Sequence, residues 1–508
     1  MNILMITPEL APLAKVGGLG DMVASLSKEL GELGHDVRVV LPLYGHLKDK
    51  LYDWQPMPTP LAVRLGAWRE LFCRVWQTTL AEGKVSIFLL EHDQLFNREG
   101  IYAGPHGDYN DNHLRFAFMN RAALDLCYAC GWMPDVVHGH DWTAGFAPGY
   151  LSSTELHQPL GRAASVYTIH NLQHQGWFGR DALTVAGLPD AFFKPDHYEA
   201  DGGVNLMKGA IYHATRITTV SPTYAREIQE STFGCGLNHV LKLRSADLTG
   251  VLNGIDTTEW NPATDPHIAA CYDKNDLTGK AACKAALQRR FGLAEESSTP
   301  LYGVIARLYD QKGLDLLAAI MPSLMEEMSL QLVLLGAGDS GLENTFRSLA
   351  KAYPSRIGVH IGYDNALSHQ IEAGSDFFIM PSRFEPCGLN QLYSMRYGTV
   401  PVVRATGGLA DTVEPYIEGK GQGTGFIFKE PAAKDLFFAL GRANAVYYDR
   451  PGDFQQLRLN GMMQDFSWGA SARIYERVYR EAVAERTRRL RAPALRETAL
   501  PRVVADVG

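Results

Sequence analysis

Short apolar runs alternate with longer amphipathic stretches along almost the whole chain, and this alternation limits the fold more than any other feature of the sequence. Apolar runs such as 37–41 and 331–336 are separated by stretches of 10 to 15 residues with helical spacing, such as 21–33. Strands and helices that alternate in this way predict βαβ units and parallel, doubly wound sheets.

Eleven runs have the length and composition of strands, which is more than one ordinary sheet contains. A segment rich in turn residues, 252–262, divides them into six and five. We therefore expect an α/β fold with two Rossmann-like, doubly wound domains that face a cleft. The predicted strands are 3–7, 37–41, 85–90, 136–138, 165–170, 217–220, 301–307, 331–336, 357–363, 377–381 and 400–404.

The length of 508 residues suggests about three domains at roughly 150 residues each, but the strand pattern reduces this number to two. We expect an N-terminal domain over 1–252 and a C-terminal domain over 253–467. A helix is predicted over 468–487, and we expect it to cross back to the N-terminal domain. The arginine-rich segment 488–508 lacks an apolar period and is predicted to be a mobile tail.

Charge and cysteine content indicate the setting of the protein. A net charge of -8 argues against binding to nucleic acid or to an anionic membrane. Seven cysteines favour reduced thiols over a disulfide framework, and the Cys127/Cys130 pair is expected to pack at a helix end. The sequence has neither a signal-peptide pattern nor an apolar run long enough for a membrane span. We therefore expect a cytoplasmic protein.

Ligands of open α/β sheets bind beyond the carboxyl ends of the strands, so residues at those ends are candidates for function. In the first half, Lys15 with Gly17 and Gly18 precedes a helix, which is typical of an anion-binding loop. A tight turn with a solvated lysine is the alternative. Two further strands end at Asp141 and His170, where the histidines are either structural residues or, less favoured by their spacing, metal ligands.

The second half carries cations and an acid at equivalent places. Arg307 and Lys312 flank one strand-to-helix segment and are suited to a diphosphate, although two ordinary surface cations would have the same pattern. Glu385 lies in a turn before a helix, where it either accepts hydrogen bonds from sugar hydroxyls or only complements the helix N-terminus. Other candidate substrate-binding residues at these ends are Gly388, Thr406 and Gly407.

A glycine motif leaves a second enzyme class open. The segment 336–341 matches GxGxxG after a strand, and Asp364 follows the next strand, as in dinucleotide-binding domains. The alternatives are a packing turn or contact with a nucleotide sugar. The chain has no Asp-x-Asp motif, which argues against metal-bridged nucleotide-sugar chemistry of the single-sheet type.

Ordered motifs over about residues 1–475 resemble the bacterial glycogen synthase (starch synthase) family. They include PELAPLAKVGGLGD, HGHDWTAG, YTIHNLQHQGWF, VLNGIDTTEWNP, ARLYDQKGLDLL and PSRFEPCGLNQLYSMRYGTVPVVRATGGLADTV. The resemblance implies a GT-B glycosyltransferase that moves glucose from ADP-glucose to the non-reducing end of an α-1,4-glucan with retention of configuration. It implies glycogen or a malto-oligosaccharide as acceptor, and neither a cofactor nor a metal.

The resemblance also implies roles for single residues. The catalytic residues would be Asp141, His170 and Glu385. Those holding the diphosphate would be Lys15, Gly17, Gly18, Arg307 and Lys312. Tyr363 would stack on adenine, and Asn253 and Glu385 would contact the donor glucose. Asp141 and His170 would be essential residues on the acceptor side, and Glu9 would help to bind that sugar.

This chain departs from the family pattern at two positions. Thr143 stands where many relatives have histidine, and Tyr393 replaces the second glutamate of a Glu-x7-Glu pattern. The thiol of Cys387, beside Glu385, is either sensitive to modification or part of the core.

Two other functions compete with this reading. They are an NAD-dependent dehydrogenase built on 336–341 and a non-catalytic glucan-binding protein. The second explains Lys15, Arg307, Lys312 and Glu385 poorly, because glucan binding alone needs no cations for a diphosphate.

Overall fold

The computed structural model describes residues 1–50, 54–66, 69–80 and 83–497, and the chain forms two compact units. Unit 1 comprises Met1–Thr219, Ile228–Val251 and the chain from Trp468 onward. Unit 2 comprises Val220–Glu227 and Leu252–Ser467.

The described residues contain strands of very different length, and the longest of them lies in the first hundred residues. The strands of the N-terminal part are β1 (Asn2–Ile6), β2 (Asp36–Pro42), β3 (Gln55–Pro56), β4 (Leu61–Leu65), β5 (Arg69–Leu80), β6 (Val85–Glu91), β7 (Ala103–Gly104), β8 (Gly107–Asp108), β9 (Val136–His140), β10 (Ala164–Ile169), β11 (Trp177–Phe178), β12 (Glu199–Ala200), β13 (Gly203–Asn205), β14 (Arg216–Thr219) and β15 (Leu248–Gly250). Those that follow are β16 (Leu301–Ile305), β17 (Gln331–Gly336), β18 (Ile357–Ile361), β19 (Phe377–Met380), β20 (Val400–Arg404) and β21 (Phe426–Phe428).

Helices connect most of these strands. The first are α1 (Gly18–Glu32), α2 (Asp93–Phe96), α3 (Asn112–Ala129), α4 (Ala147–Ser152), α5 (Asp181–Ala186), α6 (Leu206–His213), α7 (Pro222–Glu227) and α8 (Asn238–Leu243). The others are α9 (Thr278–Phe291), α10 (Leu314–Glu327), α11 (Ser340–Ala352), α12 (Asn365–Gly374), α13 (Asn390–Arg396), α14 (Gly407–Thr412), α15 (Ala433–Asp449), α16 (Pro451–Met462) and α17 (Trp468–Glu497).

The main sheet of unit 1 has ten strands among the described residues, in the order β15-β14-β10-β9-β1-β2-β6-β5-β3, with β4 paired to β5. The six strands predicted in this half correspond to β1, β2, β6, β9, β10 and β14, and all of them pair in parallel. In the central register, Ile3 lies between Val37 and Val136. Both faces of these strands are buried, which explains why they read as continuous apolar runs.

The sheet of unit 2 is parallel throughout, in the order β18-β17-β16-β19-β20-β21. Its first five strands along the chain are the five predicted from the sequence. Apolar clusters cover both faces, one around Leu332 and Leu334 and the other around Val333 and Leu335, as the alternation of side chains along a strand requires. The predicted doubly wound α/β class is thus confirmed.

The fold differs from the prediction in several features, which include the short strands β7, β8, β11 to β13, β15 and β21 outside the predicted runs. The antiparallel strands β3 to β5 extend the first sheet, where the sequence analysis placed no strand. Residues 220–227, expected within the N-terminal domain, belong to unit 2, because Thr223 donates two hydrogen bonds to the Asp411 carboxylate of α14. Helix α17 continues to Glu497, past the predicted end at 487.

Helix α17 belongs to unit 1 and packs against α1 and β10. Its residues Tyr475 and Tyr479 are fully buried, and Arg486 donates hydrogen bonds to the carbonyl oxygens of Leu151 and Gly161. These contacts explain why an amphipathic pattern persists so late in the chain. Of the predicted mobile tail, 488–497 continue this helix, and 498–508 lie outside the described residues.

The predicted packing of the cysteine pair agrees with the structure. Cys127 is buried in the last turn of α3, where its thiol lies 3.4 Å from the carbonyl oxygen of Ala123, and Cys130 directly follows the helix.

A buried group of ions joins the sheet of unit 2 to its helices. The Asp376 carboxylate lies 2.7 Å from Lys284 Nζ of α9, contacts Arg458 of α16, and accepts a hydrogen bond of 2.9 Å from the amide of Leu301. Because Leu301 begins β16 and Asp376 precedes β19, these contacts fix the amino ends of two neighbouring strands.

Replacement of Asp376 by alanine would leave Lys284 and Arg458 buried without their shared anion. Removing one partner of a buried ion pair costs about 3–5 kcal/mol, and we expect a loss of that size in the free energy of urea-induced unfolding. The control is Glu295→Ala, which removes the exposed pair with Arg289 and is expected to cost less than about 1 kcal/mol. Equal losses in the two variants would contradict the assignment.

Candidate functional site

Glu9 organises the loop between β1 and α1. Its buried carboxylate accepts hydrogen bonds from the amides of Val16, at 2.7 Å, and Gly17, at 3.0 Å. Its other oxygen accepts a hydrogen bond of 2.5 Å from the Tyr102 hydroxyl. Through these contacts Glu9 fixes the conformation of the loop. A contact of Glu9 with a sugar stays a prediction.

The predicted anion-binding residues of unit 1 lie where this loop enters α1. Gly17 is the N-cap residue and Gly18 the first residue of the helix, so the first turn has no side-chain cap from that position. The Lys15 ammonium is half-exposed and lies 2.8 Å from the carboxylate of Asp21. A cation beside uncapped amide groups at the start of a 15-residue helix is well suited to an oxyanion.

Asp141 and His170 come together at the ends of β9 and β10. One oxygen of the Asp141 carboxyl accepts a hydrogen bond of 2.8 Å from the amide of His170, and the amide of Asn171 also donates to this carboxyl. Burial, with a smaller effect of nearby Glu9, raises the pKa of Asp141 to about 8. The Asp141 side chain is therefore mostly protonated at neutral pH and can donate as well as accept a hydrogen bond.

The backbone of Asp141 is strained, with φ of 54° and ψ of -175°. Residues other than glycine rarely adopt this conformation, which costs of the order of 1–3 kcal/mol. The surrounding hydrogen bonds hold it, including one from the amide of Asp141 to the carbonyl oxygen of Thr168. Strain of this kind is concentrated at functional sites, which supports the prediction for Asp141.

Three histidines form a continuous group behind Asp141. His138 contacts the Tyr479 hydroxyl at 2.8 Å and the Thr168 hydroxyl at 2.6 Å. The His140 ring lies 4.1 Å from that of His138, and its Nδ1 lies 3.2 Å from Nε2 of His170. Burial lowers the pKa of His138 and of His170 to about 3, and burial, together with the two neighbouring histidines, lowers the pKa of His140 well below its ordinary value.

The three imidazoles are consequently neutral at physiological pH. Across the described parts of the chain, no group of three or more histidine, cysteine, aspartate or glutamate side chains is arranged to hold a metal ion. The histidines therefore fit the structural interpretation and a hydrogen-bonding role.

Lys312 and Glu385 form the centre of the predicted site in unit 2. The Lys312 ammonium lies 2.6 Å from Oε2 of the buried Glu385 carboxylate, and the Ser382 hydroxyl donates to the same oxygen at 3.0 Å. Ser382, which precedes Glu385 in the same turn, was not among the predicted site residues. Its hydroxyl and the ammonium group fix the orientation of the carboxylate.

Other predicted residues of unit 2 differ widely in exposure. Tyr363, between β18 and α12, is 82% exposed, and its ring is open to a stacking partner. Arg307 is also exposed, with its guanidinium 5.9 Å from the centre of the Tyr309 ring. Asn253, in contrast, is buried, and within the described chain its Oδ1 has no hydrogen-bond partner. Gly388 has φ of 72°, a conformation that favours glycine.

Thr406 and Gly407 are already in contact with a carboxylate. The Thr406 hydroxyl donates to Glu227 at 2.9 Å, and the amide of Gly407 lies 3.1 Å from both Glu227 oxygens. Glu227 ends α7, in a segment that the sequence analysis assigned to the other domain, so no local signal pointed to this contact. A side chain at position 407 would meet the carbonyl oxygen of Glu385 at 1.9 Å, which explains the glycine.

The GxGxxG segment forms a packed turn. A Cβ on Gly336 would lie 2.0 Å from the carbonyl oxygen of Ala306, which accounts for the glycine without any ligand. The side chain of Asp339 caps α11, and that of Glu343 accepts a hydrogen bond of 3.1 Å from the amide of Gly338. Asp364, predicted as a candidate ribose ligand, caps α12 and pairs with Arg290 at 2.8 Å.

The positions where the sequence departs from its family are buried. Thr143 donates a hydrogen bond of 3.2 Å to the carbonyl oxygen of His140, and Tyr393 stacks on Trp260 with the ring centres 3.7 Å apart. Burial raises the pKa of the Cys387 thiol to about 12, so this thiol remains protonated. Since the thiolate is the reactive form, the structure favours a packing role for Cys387.

Comparisons with known proteins agree on one family over nearly the whole chain. Residues 2–243 match the family model "Starch synthase catalytic domain", and residues 287–441 match "Glycosyl transferases group 1". The chain is 46% identical to glycogen synthase 1 of Geobacter sulfurreducens, over 96% of this chain and 97% of that protein. It is also 46% identical to glycogen synthase of Thioalkalivibrio sulfidiphilus, over 95% and 100% of the two chains.

Solved structures give the same result. The catalytic domain of starch synthase IV from Arabidopsis thaliana, bound to ADP and acarbose, matches with a TM-score of 0.87 and 36% identity over 95% of this chain and 99% of that one. Sucrose-phosphate synthase from Thermosynechococcus elongatus, at 17% identity and a TM-score of 0.56 over 95% and 99% of the two chains, shares the fold. Among the helices described for this chain, none is both long and apolar enough to cross a membrane.

The raised pKa of Asp141 predicts how Asp141→Asn changes the pH dependence of stability. Above about pH 4 the unfolded chain ionises at this carboxyl, whereas the native carboxyl, with a pKa of about 8, stays protonated. Native stability from this group is therefore lost as pH rises from about 4 to about 8. An amide at this position does not titrate, and its oxygen can still accept the hydrogen bond from the amide of His170.

The stability of Asp141→Asn minus that of the original chain should therefore increase from pH 5 to pH 8. Urea unfolding midpoints of the two proteins at both pH values give the measurement. A difference that stays constant, or that shifts against the variant at pH 8, would show that Asp141 is ionised in the native protein.

Proposed function

Because the chain belongs to the glycogen synthase and starch synthase family of glycosyltransferases, we propose that it transfers glucose from ADP-glucose to the non-reducing end of an α-1,4-glucan. The products are ADP and a chain of glycogen or malto-oligosaccharide that is longer by one glucosyl unit, with retention of configuration. The observation that carries this proposal is the contact between Lys312 and Glu385. One donor molecule requires both a cation for its diphosphate and a carboxylate for its sugar hydroxyls.

In this proposal unit 2 binds the donor. Lys312 and Arg307 hold the diphosphate, and the exposed ring of Tyr363 stacks on adenine. The diphosphate competes with Glu385 for the Lys312 ammonium, and Ser382 then remains as a donor to the carboxylate. Asn253 has a buried Oδ1 in need of a hydrogen-bond donor, which a sugar hydroxyl supplies.

Several backbone groups are proposed to complete the substrate contacts. Thr406 and Gly407 offer a hydroxyl and an amide that hold the Glu227 carboxylate in this structure, so these groups can bind an anion. The turn at Gly388 lets the chain enter α13 beside the donor. The amide of Gly18 and the Lys15 ammonium offer a second set of donors to a phosphate, beside Gly17, whose own amide donates to Glu9.

Unit 1 supplies uncharged groups to the sugars. Asp141, protonated near neutral pH, and the neutral His170 orient hydroxyls by hydrogen bonds, while Glu9 maintains the loop that carries Lys15. Neutral donors and acceptors suit a glucan, which has no charge of its own. Cations stabilise the charge that develops on the departing diphosphate.

The proposed chemistry is substitution on the front face of the glucose. The bond between C1 and the phosphate oxygen breaks, and its electron pair remains on that oxygen. The acceptor 4-hydroxyl oxygen bonds to C1 from the same face, and its proton passes to the leaving phosphate. The protein contributes positioning and electrostatic stabilisation of the sugar cation and the diphosphate.

The competing functions fit the structure less well. The dehydrogenase hypothesis depends on a glycine turn whose amides and helix start are filled by Asp339 and Glu343. A passive glucan-binding protein has no use for the ion pair between Lys312 and the buried Glu385.

The direct test offers ADP-glucose and UDP-glucose separately with glycogen and measures nucleoside diphosphate release together with chain extension. The proposal expects ADP release matched by α-1,4 extension. Release without extension would indicate hydrolysis, and saturable NADH binding without ADP release would support the dehydrogenase.

A Glu385→Gln variant tests the acid. The amide keeps the size of the side chain but removes the charge, and we expect kcat to fall about 10²–10³-fold, as for the loss of one group that stabilises a transition state. The control is Glu418→Gln, at an exposed position, with kcat unchanged. Near-normal turnover of Glu385→Gln in a folded protein would refute the role of this carboxylate.

A Lys312→Met variant tests the diphosphate contact. Hydrogen bonds to charged groups contribute roughly 1.5–3 kcal/mol, so we expect kcat/KM for ADP-glucose to fall about 10- to 100-fold. Lys351→Met, on the exposed face of α11, is the matched control. An unchanged Kd for ADP in Lys312→Met would place the diphosphate elsewhere.

A further inference from the structure

We propose that His140 is a positioning residue that fixes the neutral tautomer of His170, so that the Nδ1–H group of His170 is directed to a sugar hydroxyl. The sugar contact rests on the proposed function, whereas the tautomer assignment does not. The two rings meet with His140 Nδ1 and His170 Nε2 3.2 Å apart.

The backbone holds these two nitrogen atoms in place. His140 is the last residue of β9 and pairs in register with Thr168 of β10, two residues before His170. His140 is fully buried, and the ring of His138 packs against it with the centres 4.1 Å apart. His170 is anchored by its amide, which donates to Asp141 at 2.8 Å. Neither imidazole can therefore turn away easily.

Only one proton can lie between the two nitrogen atoms. Both imidazoles are neutral because burial keeps the pKa of each far below physiological pH, and a neutral imidazole has one N–H group and one acceptor nitrogen. Either His140 donates from Nδ1 to Nε2 of His170, or His170 donates from Nε2 to Nδ1 of His140. The two arrangements place the second nitrogen of each ring in opposite states.

The other nitrogen of His140 distinguishes the arrangements. His140 Nε2 is buried and has no hydrogen-bond partner among the described residues. If His170 donates, His140 must carry its proton on Nε2, as a buried N–H group without an acceptor. If His140 donates, Nε2 is an unprotonated acceptor. Buried N–H groups without a partner are rarer in proteins than buried acceptors without one, so the second arrangement is favoured.

The consequence lies on the outer edge of His170. With Nε2 accepting from His140, the single proton of His170 resides on Nδ1, for which the described chain provides no hydrogen-bond partner. His170 is partly exposed, so Nδ1–H can meet a ligand. It can only donate, and it therefore selects a hydroxyl oxygen as its acceptor. A free histidine would instead interconvert between donor and acceptor states.

The experiment records ¹⁵N–¹H correlation spectra of imidazole-labelled full-length protein, with His170 assigned by its loss in His170→Gln. We expect His170 to be protonated on Nδ1 and unprotonated on Nε2. His140→Phe should allow both tautomers and lower kcat/KM up to about tenfold, the loss expected for one neutral hydrogen bond. His140→Asn, whose amide can donate from near the Nδ1 position, should restore the tautomer and most of the activity.

His369→Asn is the matched control, because His369 is a similarly buried histidine whose Nδ1 lies 2.8 Å from the Asp265 carboxylate instead of from another imidazole. It should lower the unfolding temperature without changing the His170 spectrum. Protonation of His170 on Nε2 in the original chain, or an unchanged His170 spectrum in His140→Phe, would overturn the proposal. Absence of glucosyl transfer by the original chain would refute the proposed function and leave the tautomer assignment standing.

Discussion

The carboxyl ends of the parallel strands in two sheets determine where this protein can interact with a substrate. A parallel strand is hydrogen-bonded on both sides until it ends, and only beyond that point do side chains and amides become available. In unit 1 the loops after β1, β9 and β10 carry Lys15, Asp141 and His170. In unit 2 the loops after β16 and β19 carry Lys312 and Glu385. Apolar clusters cover the faces of the central strands. Few other positions are therefore left where polar side chains can meet a substrate.

The two units differ in the charge of these polar groups. Unit 1 has three neutral histidines and an aspartate that is protonated near neutral pH, and unit 2 has an ammonium and a carboxylate in direct contact. Burial explains the first set, because low polarity disfavours the charged form of an unpaired group. Pairing offsets this cost in the second set. The division corresponds to the chemistry proposed here, in which one unit orients uncharged hydroxyls and the other holds a charged leaving group.

Much of this arrangement could be predicted from the sequence because the signals are local. A buried parallel strand is a short apolar run, and the residues just after it are its carboxyl-end loop, so the positions of Asp141, His170 and Glu385 followed from the pattern. The packing role of the glycines in 336–341 did not follow, because the same motif serves a ligand or a close backbone contact. Only the approach of Ala306 to Gly336 decided between these alternatives.

Contacts between distant parts of the chain could not be read in the same way. The assignment of α7 to unit 2 depends on hydrogen bonds from Thr223 to Asp411, 188 residues away. Strands β3 to β5 were missed because they are antiparallel and partly exposed, and their alternating pattern is weaker than a continuous apolar run.

The strain at Asp141 connects the fold to the proposed chemistry. The Asp141 carboxyl accepts hydrogen bonds from the amides of His170 and Asn171. The backbone φ of 54° at Asp141 lowers the stability of the native state. At pH values above the ordinary pKa of an aspartate, keeping this carboxyl protonated lowers native stability further. Since neither feature stabilises the native state, the hydrogen bonds around β9 and β10 must compensate for both. A backbone conformation that lowers stability and is held only by its surroundings is explained most simply by a functional role of the Asp141 carboxyl that it orients.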